Sequence, residues 1–336
     1  MMKDLNVEVK IDLERIKTNL KNAREVLANP SENKVEICLM LKADAYGHGL
    51  EEVAKSTENI VDAFGVATLK EAVRTRKIAP SKPILVNMPR ASEIEDAVQN
   101  GFTIGLSNEA QLEEVKRLAN LRPKLHLAVD SGMHRLGFDL EKVESVVDEL
   151  KGAGLTLDGV YSHFGDHPSR QAERFETACK IVRNVFPNAK RHIASSHTYK
   201  IPAYAYDCVR LGLDAYKGAM TVKSQVIASR KVDAGEYVGY GDYITQTSTN
   251  IAVIFGGYAD GVGRNYPFVT WQKKRFEVIC VCMDVVIVNT KDEVLKIGDE
   301  VTLLDSETAD EIATKMRTIP YTLMTAWQGR TNKIYG

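Results

Sequence analysis

The residues with the most pointed chemistry lie in the stretch Leu41-Lys42-Ala43-Asp44-Ala45-Tyr46-Gly47-His48-Gly49. Lys42 ends an apolar run, Val35–Leu41, that reads as a buried strand. An amine in that place is partly desolvated, which lowers its proton affinity and suits it to attack a carbonyl. The tyrosine and glycines that follow make a tight loop with a hydroxyl donor, suitable for a phosphate. Taken alone, Lys42 reads as a surface lysine at a strand end. With Tyr46-Gly47-His48-Gly49 attached, the reading moves to a Schiff-base lysine beside a phosphate loop.

Other polar residues of the same kind follow other apolar runs: Arg135, His163, Ser196 and Arg210. Eight such runs read as strands: Val35–Leu41, Phe64–Ala67, Ile84–Val86, Thr103–Leu106, Leu125–Val129, Gly159–His163, His192–Ala194 and Cys208–Leu211. Helical patterns separate them. Asp12 is a candidate cap for a helix with Leu13, Ile16, Leu20 and Leu27 on one face. Asn108 and Asp139 are candidate caps for two more, and a further helix runs through Ala172, Phe175, Cys179, Val182 and Phe186. Eight strand-plus-helix units in about 200 residues fit an α/β chain folded as a (β/α)8 TIM-type barrel, whose strand C-termini build active sites. A doubly wound sheet is the alternative that periodicity leaves open.

The pattern changes after about residue 225. Val222–Ser229, Tyr243–Thr249, Ile251–Phe255, Phe276–Val281, Asp284–Val288 and Glu300–Leu304 are strand-like and separated by turn signals, with one short helix at Ala309–Arg317. The expected division is a barrel over 1–225 and a mostly β domain over 226–336, with the first few residues able to join the β domain. The length of 336 residues suits two domains.

A formal net charge of -1 gives no global attraction to nucleic acid or an anionic membrane. Five scattered cysteines argue against a secreted disulfide framework. Cys280 and Cys282 share one strand face and read as two small core residues. Charges at Lys3 and Asp4 stand where a signal peptide needs an apolar core, and no apolar run reaches the roughly 18 residues that span a bilayer. The expectation is a soluble, cytoplasmic protein that acts on a small molecule. His163-Phe-Gly-Asp166-His167 has metal-like spacing, but it follows a strand and has no accompanying ligand set, so no metal is expected.

Eight segments in one order carry a resemblance. They are Lys42–Gly49, Asp130-Ser-Gly132-Met133-His-Arg135-Leu-Gly137-Phe138, Tyr161-Ser-His163-Phe164, Ala194-Ser195-Ser196 with Val209-Arg210-Leu-Gly212, Gly257-Tyr258-Ala259-Asp260-Gly261, Cys282-Met283-Asp284, and Thr318-Ile-Pro-Tyr321. The chain resembles the alanine racemase family, a group of pyridoxal-phosphate-dependent racemases. The resemblance implies that Lys42 carries pyridoxal 5'-phosphate. It also implies that Lys42 and Tyr258 are the two acid–base groups, one on each face of the substrate Cα. Tyr258 would come from the partner subunit of a homodimer with shared active sites.

The same resemblance gives the other residues their expected roles. Arg210 would donate to the pyridine nitrogen and, with His163, form the tuning pair for Tyr258. Tyr46, Ser196, Tyr321 and the backbone amides at Gly212 and Leu213 would hold the phosphate. Arg135 and the backbone N–H of Met283 would bind the substrate carboxylate. The chain departs from the family where Ala128 stands in place of a lysine, often carbamylated, that braces the carboxylate-binding arginine. It departs also at Ser195, Lys217, Ile279-Cys280 and Lys333, and the charged stretch Trp271–Arg275 has no assigned place. Alanine is the default substrate. Racemases of serine, lysine or ornithine and a fold-related decarboxylase are the alternatives, the decarboxylase disfavoured by Arg210.

Overall fold

The computed structural model describes residues 7–28, 34–165 and 167–336. Asp166, part of the metal-like spacing, lies outside the described residues. The chain divides into two compact units: Lys17–Ala45 with Leu50–Ala215, and Met1–Ile16 with Tyr46–Gly49 and Tyr216–Gly336. Strands are numbered in chain order from β1, Val7–Ile11.

The first of these units is a parallel barrel. Its strands are β2 (Glu36–Met40), β3 (Ala63–Val66), β4 (Ile84–Val86), β5 (Thr103–Leu106), β6 (Lys124–Asp130), β8 (Gly159–Tyr161), β9 (Lys190–His192) and β10 (Cys208–Leu211), with β7 (Phe138–Asp139) a short addition to β6. They pair in the order β10-β2-β3-β4-β5-β6-β8-β9. Closure comes from a parallel bridge between Ser195 and Arg210 and from the Arg210 N–H donating to Ala194 O at 3.0 Å. The expected (β/α)8 class is therefore observed, and each of the eight expected barrel strands overlaps an observed one. The strands are near-continuous apolar runs because both faces are buried: Ile37, Leu39, Phe64, Val66, Ile104, Leu106, Leu125 and Leu127 are fully enclosed.

Local chemistry starts the helices. The Asp12 carboxylate accepts the Arg15 N–H at 2.7 Å at the head of Leu13–Val26, and Asn108 accepts the Gln111 N–H at 3.0 Å. Asp139 does not cap. A 3-10 turn, Leu140–Lys142, follows it with no side-chain cap bond, and the helix Val143–Gly152 begins only after that turn.

The other unit is built on β1, β11 (Met220–Val232), β12 (Thr249–Phe255), β13 (Phe268–Trp271), β14 (Lys274–Val281), β15 (Val285–Lys291), β16 (Glu300–Leu304) and β17 (Thr331–Tyr335). The pairings β11–β12–β15–β14–β13–β16 return to β11, so these six strands form a ring. β1 then pairs with β11 antiparallel and with β17 in parallel. A single strand, β11, runs unbroken through residue 225. The stretch Trp271–Arg275 is a hairpin in which Trp271 faces Lys274 across Gln272 and Lys273, both at positive φ, as a two-residue primed turn requires. Of Tyr243–Thr249 only Thr249 lies in a strand, as the first residue of β12, and Ile244 forms an isolated bridge to Tyr237, because the Thr245 hydroxyl and amide are committed to the loop 233–236. No described helix is long and apolar enough to cross a membrane.

Candidate active site

Lys42 follows Leu41, which is fully buried at the end of β2. Its amine is half-buried, and its pKa is lowered by burial first, then by the positive charges of Arg135 and Arg210, with Glu71 acting the other way. The chain turns away from this strand end through a left-handed coil: Ala43, Asp44, Ala45 and Tyr46 have φ of 53°, 56°, 54° and 54°. Each L-residue in that conformation costs about 1–2 kcal/mol, so the turn persists only because its neighbours fix it. The Ala45 N–H bonds Leu41 O at 2.8 Å, the Asp44 carboxylate accepts Leu50 N–H at 3.1 Å, and Arg74 Nη2 donates to the same Asp44 oxygen at 3.0 Å.

Arg210, in β10, is 6% exposed. Its Nη1 donates to His192 Nδ1 at 2.7 Å and to His192 O at 2.9 Å, and its Nη2 donates to Ser162 O. The guanidinium also lies 5.3 Å from the centroid of the Tyr161 ring, which stacks on His192. An imidazole nitrogen that accepts from arginine is unprotonated, so His192 carries its proton on Nε2, which faces His126 Nδ1 at 2.8 Å. Burial, then the charge of Arg210, holds His192 well below the ordinary histidine range, and burial pushes His126 down to about 3. Sequence reasoning passed over His126, His192 and Ser162. His192 carried a signal only as the first residue of an expected strand.

His163 stands just past β8 and is likewise pushed down to about 3, by burial and then by Arg210, Arg135 and Lys42. It is therefore neutral near pH 7, and it adds no positive charge to the expected tuning pair. Ser196 is 5% exposed, and its Oγ accepts the amides of Gly212 and Asp214, both at 3.1 Å. Those two bonds use the acceptor side of the hydroxyl and leave its proton to donate. Leu213 opens the short helix Leu213–Tyr216. Arg135 is exposed on the loop after β6. In the barrel, then, Lys42, Arg135, His163 and Arg210 act on one another electrostatically at the strand C-termini, where a barrel carries its chemistry. A cavity of about 740 Å³ lies at the opposite end of the strands, lined by Glu36, Thr103, Lys124, Asp158 and Lys190, and it contains none of the expected site residues.

In the β unit, Tyr46 is 8% exposed, with its ring 5.1 Å from Tyr216 and 5.5 Å from Tyr321. Gly47 has φ +83°, and a Cβ there would meet Met324 O at 2.1 Å, so only glycine lets the helix Pro320–Ala326 approach this loop. Tyr258 begins a 3-10 turn, Tyr258–Asp260, and is 45% exposed. Its N–H donates to Cys282 O at 3.0 Å, and the Ala259 N–H donates to Met283 O at 3.1 Å, so the segments carrying Tyr258 and Met283 are bonded as one piece. Met283 is 54% exposed. Cys280 and Cys282 are half-buried, with thiols 3.9 Å apart, and not core residues as their spacing suggested. The hairpin at the end of β14 leaves that face partly uncovered.

The comparisons with known proteins cover the whole of this arrangement. Residues 11–219 match the family model for the alanine racemase N-terminal domain, and residues 219–335 match that for the alanine racemase C-terminal domain. Alanine racemase 2 of Caldanaerobacter subterraneus subsp. tengcongensis is 31% identical, over 97% of this chain and 94% of the relative. Alanine racemase of Carboxydothermus hydrogenoformans is 32% identical, over 98% and 99%. Among solved structures, the biosynthetic alanine racemase from Pseudomonas aeruginosa superposes with a TM-score of 0.89 at 30% identity, covering 99% of each chain. The alanine racemase from Bartonella henselae, solved with covalently bound pyridoxal phosphate, gives 0.88 at 25% identity, covering 98% of this chain and 99% of that one. With both of its halves matched in order and its full length covered, this chain belongs to the alanine racemase family.

Proposed function

We propose that the chain is an isomerase that interconverts L- and D-alanine, with pyridoxal 5'-phosphate carried on Lys42. The observation that carries this reading is the Lys42 amine: half-buried at a strand end, and lowered in proton affinity by that burial and then by the charges of Arg135 and Arg210. The donor set fits the cofactor. A cationic cluster of Lys42, Arg135 and Arg210 suits a ligand with phosphate and carboxylate groups. The Ser196 hydroxyl, with the Gly212 and Leu213 turn, suits the phosphate. When bound, pyridoxal phosphate supplies an electron sink that acidifies the Cα–H of an attached amino acid.

The residues then divide the work. Lys42 Nζ, with its proton affinity lowered, takes or returns the Cα proton on one face of the substrate. The partner subunit's Tyr258 does so through its Oη on the other face. Arg210 stays protonated despite burial, being an arginine, and its Nη atoms are fixed by His192 and Ser162. A fixed guanidinium that does not release its proton is the group that would face the cofactor's pyridine nitrogen as a donor, and such a donor would limit the electron sink. His163, neutral, adds no charge to this cluster. Arg135 and the Met283 N–H hold the carboxylate. A second copy is part of this reading because Tyr258 and Met283, which are bonded as one piece, are 45% and 54% exposed on the β unit and so are open to a partner.

The test is α-proton exchange in heavy water with added pyridoxal phosphate, on a panel of L- and D-amino acids, followed by chiral analysis. Exchange with inversion, fastest for alanine, is expected. Faster inversion of serine, lysine or ornithine would reassign the substrate, and exchange with none would overturn the reading.

A further inference from the structure

We infer that Asp130 is the positioning residue for Arg135, and that it sets the arginine through the loop backbone instead of through a neighbouring side chain. The inference rests on the reading of Arg135 as the group that binds the substrate carboxylate. Ala128, buried in β6, offers no polar atom with which to brace a guanidinium, and Arg135 itself is exposed. Among the described residues no side chain bonds the Arg135 guanidinium, so what orients it acts on the residues that carry it.

Asp130 ends β6 and is 8% exposed. Its Oδ1 accepts three successive amides, Gly132 at 2.8 Å, Met133 at 3.0 Å and His134 at 3.0 Å, so the chain wraps around one oxygen. Its Oδ2 lies 3.3 Å from His134 Nδ1. His134 has φ +55°, a conformation that a side chain keeps only where its neighbours impose it. Arg135 is the next residue.

The far end of the loop is held to the same strand. Phe138 pairs with Val129 and Asp139 with Asp130. Gly137, at φ +115°, comes so close to β6 that a Cβ would meet Asp130 N and Val129 C at 2.8 Å. The loop 131–137 thus leaves β6 at Asp130 and returns to Val129 and Asp130. In addition, Ser131 Oγ lies 2.8 Å from Ser162 Oγ, and Ser162 O accepts from Arg210, so the Arg135 loop and the Arg210 guanidinium share one anchor. Burial alone would push the Asp130 carboxyl up. The Gly132 and His134 amides, the His134 ring and the Met133 amide outweigh it and hold the carboxylate below its usual range, in the charged form that binds amides best.

A residue that positions Arg135 must affect ligands with a carboxylate and spare ligands without one. The experiment uses the holoenzyme, saturated with pyridoxal phosphate, and three probes: alanine, propionate (a carboxylate without an amine) and ethylamine (an amine without a carboxylate). Asp130→Ala is expected to raise the KM for alanine and the inhibition constant of propionate by roughly tenfold. The kcat, the cofactor absorbance and the ethylamine affinity are expected to stay near wild type. Asp130→Asn keeps an oxygen acceptor for the amides and is expected to restore propionate binding. Equal weakening of propionate and ethylamine, or unchanged propionate binding, would overturn the inference. Should Asp130→Ala fail to accumulate as folded protein, Asp130→Ser, whose shorter side chain reaches fewer amides, carries the same comparison. Arg135→Ala separates the two levels. If it spares propionate binding, the carboxylate role of Arg135 fails, whatever Asp130 does.

Discussion

Glu71 holds Ala43: its Oε1 accepts the Ala43 N–H at 2.9 Å while its Oε2 accepts the amides of Ala67 at 2.9 Å and Thr68 at 3.1 Å. One carboxylate thereby joins the ends of two adjacent barrel strands and pins the first residue of the left-handed turn beyond Lys42. It also caps the helix Leu69–Ile78 reciprocally with Thr68. Glu71→Ala leaves these amides without their acceptor and the turn without one of its supports. The expected cost is about 1–3 kcal/mol of stability, read as a lower urea midpoint. Because Glu71 raises the Lys42 pKa, its loss is also expected to lower that pKa further, shifting the acid limb of cofactor attachment to lower pH, since the amine must be unprotonated to attack the carbonyl. Glu71→Gln keeps a carbonyl acceptor and should recover part of the stability and none of the pKa effect.

The barrel was legible because both faces of its strands are buried. Ile84–Val86 is apolar throughout, and Cys208–Leu211 is broken only by the site residue Arg210, so their limits in the sequence are their limits in the fold. Strands with one wet face were harder. Val7–Ile11 and the edge strand Thr331–Tyr335 beside it alternate polar residues with apolar ones, and the alternation is too brief to stand out. The site residues were legible as a set of motifs, yet the groups that fix them were not. Asp130, Glu71, His192 and Ser162 act through bonds to residues distant in sequence or to backbone amides, which side-chain spacing does not encode.

Lys42→Ala is expected to abolish the absorbance band of protein-bound pyridoxal phosphate, because the substitution removes the amine proposed to hold it. A titration of the purified variant with the cofactor checks this. A retained band would mean that another lysine was the point of attachment.

The buried histidines give a pH prediction with a definite sign. His126, His163 and His192 are all held neutral, with folded-state pKa values well below the ordinary value near 6.5. The unfolded chain binds protons at these positions where the folded chain does not, so stability rises with pH across that window. Their contribution is fully present above about pH 6.5 and is lost as the pH falls from there toward 3. Urea midpoints should fall in order from pH 8 to 6.5 to 5, slightly over the first step, where the unfolded histidines become half protonated, and more over the second. His126→Gln, which removes one titrating group, should flatten the drop; an unchanged slope would show that carboxylates alone set the acid limb.

Arg330 donates to both oxygens of Asp260, at 2.9 and 2.8 Å, and its Nη1 lies 2.8 Å from Asp284 Oδ1. Asp260 is fully buried and also accepts the Gly257 N–H. The guanidinium therefore ties the turn of Tyr258 to the segment of Met283. Arg330→Ala removes the charge that matches Asp260 and is expected to lower the urea midpoint and loosen Tyr258. Arg330→Lys should recover little, since an ammonium cannot make the paired contact. Equal behaviour of Lys and wild type would make the bidentate geometry irrelevant.

Tyr258→Phe tests the division of labour between the two proposed proton-transfer groups. If Lys42 serves one face of Cα and the partner subunit's Tyr258 the other, the two enantiomers lose their protons to different groups. Removing the phenol oxygen should spare cofactor absorbance, since the lysine remains. It should slow α-proton exchange of one enantiomer by on the order of 10²–10⁴, the usual worth of a positioned acid–base group, and leave exchange of the other close to wild type. Inversion in both directions must fall together, because each direction needs both groups. Equal losses of exchange for both enantiomers would count against a two-base scheme. Sedimentation of the same preparation decides the origin of the tyrosine. A fully active monomer would return Tyr258 to its own chain, whereas activity that falls on dilution together with the dimer would assign it to the partner.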